Sequence, residues 1–394
     1  VENKKKRLYF IDAMRAWAIL MMLQGHFIDG LLGDAFRDNA DWGYGTWKYF
    51  RGITAPVFFA VSGFIFTYLL IRVPQKGLEN PRIKKGIHRG LQLVFIGYLL
   101  RTNLFGILQG KLYDSFFLVD VLHCIGLSIL GIIGIYLLTV HRKKFLLPTV
   151  LIVTTCLLFA FEPLYKQGSF SMLPEALANY ISKANGSVFT IIPWFGYATF
   201  GGFLSIFFYR NKERKNLYPI AIGISALSGL LLIFGSSPLF HQLYTVTGIQ
   251  LLADIYFNNY LFIRLGDVLV VFAIFMLIRK FLTNNTLLRT GQNTLSIYVI
   301  HFIILYGSFT GLGLYGFFEH SLPPSIAIVG AIAFMVVCSY LALMYDKHEV
   351  AIKSKLSVIQ KYVCNVVEGS FLFLQRSIKT VLLKMLQLVG LAKN

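Results

Sequence analysis

The chain has 394 residues, of which 56% are hydrophobic and only 14% charged, with a net charge of +19. A soluble domain usually carries about 25% charged residues, so this composition excludes an ordinary water-soluble protein and points to a membrane. Its basic residues sit in short runs between apolar segments and form no basic domain, which speaks against nucleic-acid binding and for membrane-flanking Lys and Arg.

In chain order, "NKKKR" leads into a first apolar stretch, 10–32, too long for a cleavable leader and without a convincing cleavage site. It carries Arg15, His26 and Asp29, with ten residues between the first two. A second span covers 53–71. The connection that follows, 72–89, holds most of "RIKKGIHRG". Backbone amides at a helix start, with Arg82, Lys84, Lys85 and Arg89, suit a phosphorylated ligand, although such runs also serve simply as membrane anchors. The third span is 88–108. The fourth, 117–140, carries Asp120 and His123 three residues apart, on one helix face. Spans at 145–161, 188–208 and 217–235 follow. The eighth, 259–278, holds Arg264 and Asp267 at the same spacing, read as a structural ion pair. The ninth, 294–313, contains His301, and the tenth covers 325–345. Beyond it, 346–394 interrupts its apolar residues with Lys361, Glu368, Arg376, Lys379 and Lys384, a pattern that suits an amphipathic helix on the cytoplasmic leaflet or a surface packing element.

The expected architecture is therefore an all-α polytopic membrane protein. It has about ten helices over 1–345 and an amphipathic cytoplasmic tail over 346–394. Helices are required because each span must satisfy its own backbone hydrogen bonds. With both termini cytoplasmic and the spans alternating, the cytoplasmic segments hold 28 of the 37 Lys and Arg and the outer loops hold seven. Cys124, Cys156, Cys338 and Cys364 are scattered, so neither a disulfide framework nor a metal site is expected.

This topology gives the ionisable groups a depth. His26, Asp29, Asp120 and His123 lie in the outer half and His301 near mid-depth. Arg15 lies in the inner half, about 16 Å from His26 along the helix. Ionisable groups in a bilayer cost free energy and usually mark a site or a pathway. Each also has a structural reading: His123 donating to a carbonyl, Asp120 neutralising a histidine, His301 packed in the core. Histidines and carboxylates converging from several helices suit acid/base chemistry, with His26 the leading base and Asp29 or Asp120 orienting it. The same cluster also suits a proton relay in a transporter, against which stand the lack of internal repeats and of Gly/Pro-broken helix pairs.

The stretches "LYFIDAMRAWAILMMLQGHF" and "TAPVFFAVSGFIFTYLL" resemble the opening of the transmembrane acyltransferase superfamily. "VDVLHCIGL", "PWFGYATFGGFL" and "GQNTLSIYVIHF" extend the likeness over most of residues 8–313. The architecture resembles the heparan-α-glucosaminide N-acetyltransferases, and Arg15 and His26 match the Arg-x10-His pattern of acyltransferase family three, whose histidine is the presumed base. In the heparan group the catalytic histidine lies between the first two helices. The corresponding "DWGYGTWKYFRGITAP" has none, which leaves His26 as the candidate. The resemblance implies transfer of an acyl group from cytoplasmic acetyl-CoA to an amino or hydroxyl group of a sugar or envelope glycoconjugate, in a plasma membrane. The expected catalytic set is His26, Asp29, Asp120, His123 and His301. The donor-binding set is Arg15, Arg82, Lys84, Lys85 and Arg89. The sequence leaves a homodimer open.

Overall fold

A computed structural model describes residues 8–354 and 357, apart from 112, 167, 169 and 171. The chain forms two compact units, 1–342 and 343–394. In the second, residues 343–354 are helical, and most of the tail expected to be amphipathic lies outside the described residues.

A helix stands at each of the ten expected stretches, and the described residues contain no β-strand. In chain order these are α1 (Tyr9–Leu31), α2 (Trp42–Ile71), α3 (Pro81–Leu100), α4 (Val121–Thr139) and α5 (Leu146–Ala160). They continue with α6 (Ile191–Arg210), α7 (Leu217–Thr247), α8 (Tyr260–Leu277), the short α9 (Asn285–Gln292), α10 (Thr294–Tyr306) and α11 (Pro324–Ser354). Six of the helices are long and apolar enough to cross a membrane on length and composition alone, and α5 and α10 are shorter apolar helices. The protein is an all-α, polytopic membrane protein.

Helix ends follow local chemistry more closely than hydropathy. The expected second span, 53–71, is lengthened by eleven residues, because the Asp41 side chain accepts from the Tyr44 N–H (2.7 Å) and caps α2 at Trp42. Lys48, Arg51 and Gly52 therefore lie on a helix and not in a loop. The expected third span, 88–108, is shifted towards the N-terminus. Pro81 opens α3 at its first position, the Asn80 side chain caps the Arg82 N–H (2.9 Å), and the helix stops before Arg101. The expected ninth span, 294–313, stops at Tyr306, where Gly307 turns into the left-handed region with φ 70°.

Helix packing rests on small residues. A Cβ placed on Gly63 of α2 would lie 1.9 Å from the Ala198 carbonyl oxygen of α6, and one on Gly201 would lie 1.8 Å from that of Ala60. The two backbones touch where Ala60, Gly63, Ala198 and Gly201 meet. In lipid, where no hydrophobic force drives helices together, such close van der Waals contact holds a pair. The α2–α6 pair thus forms a closely packed spine that α1, α4 and α8 also touch.

Candidate active site

The C-terminal half of α1 carries His26 to the wall of a cavity of about 340 Å³. His26 Nδ1 lies 3.1 Å from Tyr306 Oη, at the end of α10. Its ring stands edge-on to that of His301, with centroids 5.2 Å apart. His301 is fully buried, and among the described residues neither of its ring nitrogens meets a partner with hydrogen-bond geometry. The helix spacing that puts Asp29 one turn beyond His26 does not join them. Asp29 instead accepts from Arg51 of α2 (2.7 Å), which the sequence reading had passed over. The group that meets the imidazole is thus a phenol from a distant helix, with no carboxylate on the ring. Lys48, Arg51 and Arg264 line the same cavity.

The N-terminal half of α1 carries Arg15 to a second cavity of about 180 Å³. Arg15 donates to Thr294 Oγ1 of α10 (3.0 Å). Arg89 of α3 faces the same space, whose remaining wall is mostly apolar: Ile65, Leu69, Leu93, Leu122 and others. Phe58 of α2 lines both cavities.

Of the five basic residues expected to hold a donor, only Arg15 and Arg89 line this space. Lys84 and Lys85 are exposed elsewhere on α3 and Arg82 is half-buried. The helix start is also less open to an anion than its sequence suggests. Pro81 has no N–H, the Arg82 amide is held by Asn80 Oδ1, and the Ile83 amide by the Asn80 carbonyl (2.9 Å).

Asp120 and His123 form a different unit. Arg101 grips Asp120 with two hydrogen bonds of 2.7 Å. His123 Nδ1 accepts from the Asp120 N–H (3.1 Å), closing a capping box at the start of α4. His123 is fully buried, packs edge-on against Tyr98 at 4.4 Å, and lines neither cavity. The Asp120 carboxylate pairs with Arg101, not with a histidine. Asp267 of α8 accepts from Arg264 (2.8 Å) and from Tyr49 Oη (2.8 Å), and the Arg264 guanidinium lies 4.4 Å over the Tyr49 ring. Among the described residues, no group of three or more His, Cys, Asp or Glu is placed to hold a metal ion.

Arg51, Tyr306 and Phe58 are the site residues that sequence reasoning missed. Arg51 had a signal in its charge beside "GITAP", but reading the segment as a connection hid it. Tyr306 and Phe58 carry none, being aromatic residues in apolar helices.

An acyltransferase-domain sequence model, that of acyltransferase family 3, matches residues 8–344. The chain belongs to acyltransferase family 3. The match spans α1 to α10 and takes in the residues of both cavities. Comparison with curated proteins finds no match.

Proposed function

We propose that this acyltransferase takes an acetyl group from cytoplasmic acetyl-CoA and places it on a hydroxyl or amino group of a sugar or envelope glycoconjugate, in a plasma membrane with both chain termini on the cytoplasmic side. The reading is carried by one observation: two cavities, one holding His26 and the other Arg15 and Arg89, meet at Phe58.

In this reading the donor enters the Arg15 cavity. Arginine forms strong charge-assisted hydrogen bonds to phosphate, and the apolar wall beyond suits the pantetheine arm and acyl group. The acceptor enters the His26 cavity. With its Nδ1–H donating to Tyr306 Oη, His26 presents Nε2 as the base. It takes the proton of the acceptor O–H or N–H as that atom attacks the thioester carbonyl. The carbon–sulfur bond breaks, the ester or amide bond forms, and the proton passes from His26 to the departing CoA thiolate. His301, packed against His26, keeps the ring in place. Asp29 and Asp120 hold Arg51 and Arg101 and shape the site through them. Membership of an acyltransferase family favours this reading over a proton-coupled transporter.

The test is transfer from labelled acetyl-CoA by purified protein, with CoA binding measured alongside. Arg15→Ala and Arg89→Ala should each weaken CoA binding by about tenfold or more, as expected for the loss of a charged hydrogen bond. Lys143→Ala, on a basic turn away from both cavities, should not. Parent-like binding in both arginine variants would reduce these residues to anchors.

A further inference from the structure

Among the described residues, those lining the His26 cavity include Lys48, Arg51 and Arg264 and no aspartate or glutamate. The carboxylates that pair with the two arginines, Asp29 and Asp267, stay outside that lining, while Lys48 is held by the neutral Asn39 Oδ1 (2.7 Å). Each arginine thus turns a positive group to the cavity and keeps its counter-charge in the wall. Glycines make room for both. A Cβ on Gly25 would meet the Arg51 side chain at 3.3 Å, and one on Gly52 would meet Arg264 Nη2 at 2.7 Å. Trp194 and Thr54 also belong to the lining, but the Trp194 indole N–H and the Thr54 hydroxyl, without hydrogen-bond partners among the described residues, are closed off from the open cavity space.

Three cations in a lining without acids form a receptor for negative charge. We infer that the acceptor bound in the His26 cavity carries an anionic group, a phosphate or a carboxylate, beside the hydroxyl or amine that is acylated. This inference rests on the acyltransferase reading for the word acceptor, while the anion site itself stands on the cavity alone.

Glucose 1-phosphate, glucuronate and glucose serve as probes, titrated into detergent-solubilised protein. Tryptophan fluorescence is a suitable signal, because Trp194 lines the cavity and Arg51 lies 5.7 Å over the Trp47 ring. One or both charged sugars should bind about tenfold more tightly than glucose at low salt, and which of them does so identifies the anion. Arg51→Gln and Arg264→Gln should each cut that preference at least fivefold, and Arg51→Lys should retain part of it. Lys48→Gln, at an exposed position, tests the same field without disturbing a buried pair. Equal binding of charged and neutral sugars by the parent protein would overturn the inference. So would a preference that survives all three glutamine variants, or one lost in Arg89→Gln instead, which would put the anion in the other cavity. Acetyl transfer measured on the same preparations separates the two readings. Anion-selective binding without transfer would defeat the acyltransferase proposal and leave the anion site standing, and transfer to glucose with no anion preference would do the reverse.

Discussion

His26 has one hydrogen-bonding neighbour of consequence, and it is Tyr306. That pairing makes the two residues separable by experiment. General-base catalysis is worth about 10²–10⁴-fold in rate, so His26→Ala should lose at least two orders of magnitude in acyl transfer while still binding CoA. Tyr306→Phe removes only the hydroxyl that bonds the ring, and should lose about tenfold or more with a shifted pH–rate profile. His301→Ala should lose less than His26→Ala. Near-parent turnover in His26→Ala would remove it from the mechanism. The helix spacing that put Asp29 one turn from His26 was legible in the sequence, but what each side chain touches was not. Asp29 turns to Arg51, because a carboxylate is better matched by a guanidinium than by an imidazole, and Arg51 lies 22 residues further along the chain, on another helix. In the same way, the Asp120–Arg101 pair joins the start of α4 to the end of α3, and no spacing rule reaches across that turn.

At the scale of helices, the sequence located all ten apolar elements, because lipid demands long apolar runs and leaves a clear signal. It misjudged their ends where polar residues continue a helix. The first three turns of α2 are polar or aromatic and read as a loop until the Asp41 cap is noticed. This error mattered, since those turns hold Lys48 and Arg51. The contact of α2 with α6 yields a sharp prediction. Gly63→Leu would drive a side chain into the Ala198 backbone, and overpacking of this kind costs about 1–3 kcal/mol or more. The variant should unfold at lower temperature and yield less protein. Gly134→Ala on α4, whose added methyl meets nothing within 4 Å, should behave like the parent. Equal stability of the two variants would show that the α2–α6 spine is not tightly packed.

For the molecule as a whole, the distribution of Lys and Arg predicts sidedness. With 28 basic residues assigned to one side and seven to the other, Asn39→Cys should react with an impermeant thiol reagent added outside intact cells, and Asn211→Cys should not. The opposite labelling pattern would invert the topology and, with it, the sides assigned to donor and acceptor. That two cavities would lie along α1 was only partly legible. Arg15 and His26 mark the two ends through their spacing on one helix, whereas the cavities arise from residues of five or more helices that share no motif.

Both cavities end on the ring of Phe58. A cell membrane is also a capacitor, and a continuous wet path through this protein would short it. Under the proposed reading, in which the two cavities open to opposite sides, the phenyl ring at their junction would act as an insulator across which the acyl group is handed over while ions and CoA are held back. Phe58→Ala should therefore raise the proton conductance of liposomes containing the protein. Phe58→Trp should keep them tight and slow the transfer. In that reading the residue between the two chambers would serve the energy balance of the cell as much as the reaction.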